Sequence, residues 1–264
     1  MPVATRGDCA LQYEITGQGP VLIFAAGLGG TASWWGAEVA RYSPHFTCLT
    51  FDQRGTGRSS RTPVASVEQM AADLVAILDH AGIATAHLVG HSTGGAIGLV
   101  MALDHPGRLA SLVIQSSTSH GDPYRHRLFN VRRTLHTLSP AAYASLSTLL
   151  LYPPYYINAH SPRLAAEEAT SAAALGSPEV QGSRLDAILA FDRRADMHRV
   201  TIPVRVIVAE DDILTPRYFA EELVRHIPGA EAAFTPRGGH ALSRTEPAVF
   251  DSLVLPFLNR VTAA

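Results

Sequence analysis

The feature that most constrains this chain is a recurrence of short apolar runs, bounded by glycine or proline and separated by stretches with helical spacing. Strands that read as unbroken apolar runs are buried on both faces, as happens in parallel sheets whose crossovers are helices. Val21 to Ala26, Phe46 to Phe51, Ala86 to Val89, Leu112 to Ile114, Val204 to Ala209 and Ala232 to Thr235 are such runs. Leu11, Tyr13 and Ile15 instead alternate with polar neighbours before Gly17, which predicts an antiparallel opening strand with one exposed face. Ser66 followed by Gln69 makes a capping box, and Val67, Met70, Leu74, Ile77 and Leu78 form an apolar stripe that ends at Gly82. Further helices are expected right after Gly90, after Pro216, and from Pro247 to Asn259. The stretch from Ser119 to Arg199 breaks the rhythm, with Ala and Leu patterns, a Tyr152 to Tyr156 cluster and an Ala-rich helix from Leu164 to Leu175, but no strand. The expected architecture is a mostly parallel α/β sheet flanked by helices. Residues 1–118 and 200–264 would form its core, and 119–199 a helical cap inserted between two core strands.

A chain of 264 residues with 47% hydrophobic content can bury a sizeable core. Its net charge of -2 argues against nucleic acid or an anionic membrane as partner, both of which favour strongly basic patches. A small-molecule partner is expected, with a monomer or homodimer as the assembly. Cys9 and Cys48 match no zinc or redox spacing and read as buried free thiols. None of the twelve histidines stands in the paired helical spacing of a metalloprotease, so no metal site is read. The N-terminal segment has no long apolar run, and no run approaches the roughly 18 residues a membrane helix needs. A cytoplasmic location is expected.

The sharpest motif is Gly90-His91-Ser92-Thr93-Gly94, a G-x-S-x-G between a buried run and a helical pattern. A tight strand-to-helix turn would force Ser92 into an uncommon backbone conformation, and Gly90, Gly94 and Gly95 supply the room it needs. A serine hydroxyl is a poor nucleophile without a base. Arg237-Gly238-Gly239-His240 follows the last run and precedes the final helix, and its glycines let the backbone bring His240 over the serine. His80, His105 and His226 fall near helix C-termini, where a cation is mildly favourable. The third member should lie between serine and histidine on the loop after a late strand, and Val204 to Ala209 leads into Glu210-Asp211-Asp212. For the oxyanion, Thr93 offers one amide, and the turn Gly27-Leu28-Gly29-Gly30 offers a second, with Leu28 as donor. That glycine run lacks the G-x-G-x-x-G spacing and a Walker lysine, so it does not read as a phosphate cradle. Trp34, Trp35 and His91 are expected to wall the substrate pocket. Arg125, Arg127, Arg132, Arg133, Arg193 and Arg194 make an anionic substrate an option.

With these motifs in order, the chain resembles the α/β-hydrolase superfamily over nearly its whole length. Within it, the chain is similar to the aminoacrylate or carbamate hydrolases of the Rut pyrimidine-degradation pathway. The matching pieces are AAGLGGTASWW at Ala25 to Trp35, FDQRGTG at Phe51 to Gly57, VGHSTGGAIG at Val89 to Gly98, LYPPYYINAHSPRLAAEEA at Leu151 to Ala169, RRADM at Arg193 to Met197, DDILTP and GGHALSRTEP. The resemblance implies an eight-stranded sheet with a helical cap, no cofactor, and a small polar substrate arising from uracil catabolism. In the superfamily loops that this segment resembles, the acid stands three residues before a Thr or Val preceding proline. Thr215-Pro216 then selects Asp212 over Asp211. The 3-oxoadipate enol-lactone hydrolases and small carboxylesterases share the core motifs and remain alternatives, as does a non-catalytic ligand receptor on the same fold. Haloalkane dehalogenases and epoxide hydrolases carry an aspartate at the elbow, and Ser92 argues against both.

Overall fold

The computed structural model describes residues 1–263. An antiparallel hairpin opens the chain, β1 (Val3–Arg6) with β2 (Cys9–Thr16), turning through Gly7 at φ +59°. There follow β3 (Val21–Ala25), α1 (Gly36–Tyr42), β4 (Thr47–Phe51), α2 (Val67–His80), β5 (Ala86–His91), α3 (Thr93–Asp104) and β6 (Leu109–Gln115). Four helices come next: α4 (Pro123–Leu138), α5 (Pro140–Leu151), α6 (Pro154–Ala174) and α7 (Pro178–Ala190). Then β7 (Val204–Ala209), α8 (Arg217–His226), β8 (Glu231–Thr235), α9 (Leu242–Thr245) and α10 (Pro247–Thr262) complete the chain.

The eight strands form one sheet in the order β1-β2-β4-β3-β5-β6-β7-β8. From β4 onward every pairing is parallel, while β2 runs antiparallel to β4. The strand pleat divides the apolar side chains between two layers. Ile23 and Ala25 of β3 face a core with Met70, Leu74 and Ile77 of α2 and Ile97 and Val100 of α3. Leu22 and Phe24 face the other way, onto Tyr42 of α1 and Phe250, Val254 and Phe257 of α10. Cys9 and Cys48 are buried free thiols, and burial pushes the Cys48 thiol up to about 11.

The local signals that start and stop helices are in place. Ser66 accepts from the Gln69 amide at 3.1 Å, while the Gln69 side chain accepts from Ala65, one residue before the cap, at 2.7 Å. The helix ends where Gly82 takes φ +68° and the Ile83 amide reaches back to Leu78 O at 2.9 Å. In the four-helix insertion, Asp122 and Ser139 cap α4 and α5, each followed directly by proline. Pro162 interrupts α6, and His160 leaves helical geometry at φ −126°. The helix expected right after Gly90 begins at Thr93, because β5 continues through His91. Among the described residues no helix is long and apolar enough to cross a membrane.

Candidate active site

Four loops leave the C-terminal ends of parallel strands on the same edge of the sheet, where α/β folds place ligands. They carry Leu28 after β3, Ser92 after β5, Asp212 after β7 and His240 after β8. Ser92 caps α3 with φ +52° and ψ −116°, a conformation L-residues rarely adopt. Glycine is required around it. A Cβ on Gly90 would lie 2.4 Å from Gly94 O, one on Gly94 2.0 Å from Ala25 O, and one on Gly95 2.6 Å from Ser117 Cβ. The Ser92 amide donates to Gln115 O at 2.9 Å, and its carbonyl accepts the Ser117 hydroxyl at 2.6 Å.

His240 and Asp212 meet as a buried pair. His240 Nδ1 lies 3.1 and 3.0 Å from the two Asp212 oxygens, and both residues are almost without solvent exposure. The carboxylate also accepts the amides of Leu214 and Thr215 at 2.9 Å each and the Thr215 hydroxyl at 2.8 Å. Burial alone would raise the Asp212 carboxyl, but the adjacent His240 and the Thr215 hydrogen bonds outweigh it and hold it below its ordinary value. With Nδ1 turned to Asp212, the opposite ring nitrogen faces away from the carboxylate. That atom, Nε2, is buried and has no hydrogen-bond partner among the described residues, Ser92 included. The neighbouring Asp211 turns the other way, is partly exposed, and accepts the Gly239 amide at 2.7 Å.

The Leu28 amide donates to no backbone carbonyl among the described residues, and the Thr93 amide opens α3, where backbone donors lack an intrahelical acceptor. Gly27 brings the Leu28 loop against the elbow: a Cβ there would sit 3.2 Å from Ser92 Cβ. The three expected pocket residues divide. Trp34 stacks on His91 with ring centroids 5.0 Å apart and lies under the Arg244 guanidinium at 4.2 Å. Trp35 is fully buried against Phe24 at 5.1 Å, inside the apolar layer beneath the sheet, so it packs the core rather than lining open space. His91 is also buried, and its Nε2–H donates to His240 O at 3.0 Å. Burial, then the nearby His240, hold His91 well below its ordinary pKa, so the ring is neutral.

Several residues of this site carry no motif. Gln115 accepts the Ser92 amide on its carbonyl while its side chain donates to His240 O at 2.8 Å, so one residue ties the two loops together. Arg184 of α7, fully buried, donates to the carbonyls of Leu28 (2.9 Å) and Arg54 and to Gln53 Oε1 (2.7 Å), joining the four-helix insertion to the Leu28 loop. The Ala241 amide donates to Leu151 O at 3.0 Å and Tyr152 OH accepts from Arg244 at 3.0 Å, joining the insertion to the His240 loop. The signals for Gln115 and Arg184 lie in partners far away in sequence, which no local pattern records.

The strand order, the strained serine between β5 and α3 and the Asp-His pair after β7 and β8 define an α/β-hydrolase arrangement. The sequence profile of the α/β-hydrolase-fold family matches residues 19–247, and this chain belongs to that family. A protein from Caulobacter vibrioides provisionally named carbamate hydrolase RutD is 38% identical over 256 residues, covering 94% of this chain and 95% of its own. A protein of the same provisional name from Azorhizobium caulinodans is 36% identical, covering 99% of both chains. The solved structure of the enol-lactonase from Burkholderia xenovorans LB400 superimposes with a TM-score of 0.89 at 25% identity, covering 98% of this chain and 100% of that one.

Proposed function

We propose that this chain is a serine hydrolase of small acyl, amide or carbamate compounds, with Ser92 as nucleophile, His240 as base and Asp212 as the acid that orients it. The observation that carries the reading is the His240 ring, held by Asp212 on Nδ1 and left with a buried, unpartnered Nε2. Such a ring can accept only at Nε2, and the hydroxyl of the strained Ser92 is the group to supply that proton. Hydrogen bonds of this kind commonly tighten only when substrate is bound.

Ser92 Oγ attacks the carbonyl carbon as its proton passes to His240 Nε2, and the imidazolium is stabilised by the Asp212 carboxylate. The oxygen of the tetrahedral intermediate takes its hydrogen bonds from the Leu28 and Thr93 amides, and α3 directs its positive end toward it. The C–O or C–N bond breaks as His240 returns the proton to the leaving group. Water, deprotonated by the same nitrogen, then attacks the acyl carbon, and the bond to Ser92 Oγ breaks as His240 passes that proton to the serine oxygen and the acid leaves. Residues 119–199 act as a cap domain that selects substrate, with Trp34 as a wall of the site. The relatives' provisional name favours a carbamate or related amide from pyrimidine degradation. The enol-lactonase likeness favours a second reading, a lactone or short carboxylic ester.

A fluorophosphonate presents a tetrahedral phosphorus to the nucleophile much as an intermediate would. Intact-mass analysis is expected to record one adduct on the parent and none on Ser92→Ala. No adduct on the parent, or an equal one on the variant, overturns the nucleophile. Turnover of nitrophenyl acetate separates an enzyme from a receptor that only binds.

A further inference from the structure

Of the six arginines of residues 119–199 that could meet an anionic substrate, three are paired with carboxylates and a fourth is exposed. Arg193 pairs with Asp104 and Asp196, Arg194 with Asp192 and Arg133 with Asp186, while Arg127 is exposed. Arg125 and Arg132 differ from these. They stand on one face of α4 with Phe129 between them, 4% and 7% exposed, and both guanidinium groups stack on that ring, at 5.0 and 5.4 Å. Neither forms an ion pair with a carboxylate among the described residues. The carboxylates whose charge reaches Arg125 are committed elsewhere, Asp122 to the Arg125 backbone amide and the Tyr218 hydroxyl, and Asp212 to Thr215 and His240. A buried charge without an opposite charge is costly, and proteins rarely hold two side by side without cause.

The donors left over have a definite geometry. Arg125 bonds through Nη1 alone, to Thr118 Oγ1 at 2.7 Å and His120 O at 3.1 Å, and its Nε is buried without a partner. The Nε–Nη2 edge is thus free, and its two parallel N–H groups match the two oxygens of a carboxylate. Arg132 bonds through Nη2 to Tyr143 OH at 3.0 Å and Ser147 Oγ at 3.3 Å, and its Nε is likewise unpartnered. Burial pushes the Arg125 guanidinium down to about 10, which leaves it charged at neutral pH. The pair adjoins the site. Phe129 packs in one apolar cluster with Leu28 and Leu214, and Thr118 directly follows Ser117, whose hydroxyl bonds Ser92 O.

We propose that Arg125 and Arg132 form an anion subsite that takes a carboxylate of the substrate lying apart from the bond that breaks. The substrate is then a short bifunctional acid, and a bare carbamate, charged only at the reacting group, would leave the subsite empty. The inference rests on the Ser92 reading for the bond cleaved, but not for the binding of the anion.

The test compares nitrophenyl hemisuccinate with nitrophenyl butyrate, in which a methyl group replaces the carboxylate. The parent is expected to favour the hemisuccinate in kcat/KM. In Arg125→Gln and in Arg132→Gln the ratio between the two esters should fall at least about tenfold, mainly through KM. A ratio does not depend on the fraction of protein that is folded, and the exposed Arg127→Gln is expected to leave it unchanged. A parent without preference, or an unchanged ratio in both variants, overturns the subsite. If neither ester is turned over, or Ser92→Ala cleaves as fast as the parent, the Ser92 reading fails and calorimetry with monomethyl succinate and methyl butyrate decides the subsite alone. Preferential binding of the acid by the parent, lost in Arg125→Gln, supports it. Equal binding, or no binding of the acid, overturns it.

Discussion

A carboxylate sealed from water keeps its charge only where enough donors surround it, and Asp212 has four: two amides, a hydroxyl and the His240 Nδ1, which lies within reach of both oxygens. Asp211, one residue earlier in the turn that the Asp212 amide closes onto Ala209 O at 3.1 Å, holds the Gly239 amide instead. Asp212→Asn should therefore lower kcat by up to about 10⁴-fold with the fold retained, since an amide in that place favours the wrong imidazole tautomer. Asp211→Asn keeps an acceptor for Gly239 and should stay close to the parent rate. Steady-state kinetics beside a thermal melt checks both, and the reverse ranking would move the role to Asp211. At this scale Ser92, His240 and the Asp212 loop were legible because glycine spacing and chain order are local. Gln115 and Arg184 were not, since the atoms they hold lie 125 and up to 156 residues away. A Trp pair beside a glycine loop does not say which ring faces inward, so the sequence points both Trp34 and Trp35 at the pocket, whereas packing against Phe24 buries Trp35 in the core.

Elements meet at this site through glycine, and the consequences of adding one methyl group differ sharply with place. In the first turn of α3, a Cβ on Gly94 would fall 2.0 Å from a backbone oxygen of β3, and neither element can retreat without disturbing the sheet. In α7, a Cβ on Gly182 meets nothing within 4 Å. Gly94→Ala should thus destabilise by several kcal/mol or prevent folding. Gly182→Ala should stabilise by about 0.4–1 kcal/mol through the lost freedom of the unfolded chain. Urea denaturation of the two variants against the parent measures both, and a neutral Gly94→Ala would contradict the packing described. Six apolar runs became β3 to β8 with ends shifted by a few residues, because burial on both faces leaves an unmistakable pattern and says little about where pairing stops. β1 leaves little trace in the sequence: four residues on a sheet edge show too little alternation, although Gly7-Asp8 between Arg6 and Cys9 is the two-residue turn that signals a hairpin. α1 is seven residues long and anchored by Tyr42 and Asp251, a contact across 209 residues.

Across the whole molecule, acid acts on stability through groups that sit in different pH windows. His91 and His87 are buried, and burial lowers both from their ordinary value of 6.5, with the nearby His240 adding to the effect on His91. Below pH 6.5 the unfolded chain takes up protons at these positions while the folded chain does not, so stability falls as pH falls until the depressed folded values are reached. Above pH 6.5 neither state is protonated there and the term vanishes. Asp212 has the carboxylate sign: its folded value is lowered, so its contribution is fully present above the ordinary range near 3.9 and is lost only as pH falls through the folded value. The histidines are therefore expected to open the acid side of the stability profile and Asp212 to join later. Gln can donate to His240 O as His91 does, so His91→Gln removes the titration while keeping the tether. Urea denaturation of parent and variant between pH 8 and pH 5 should give equal slopes above pH 7. Below pH 6.5 the parent should lose up to about 1.4 kcal/mol per pH unit more than the variant. Parallel profiles down to pH 5 would mean that His91 is free to take a proton in the folded chain, and the neutral ring assigned to it behind His240 would have to be abandoned.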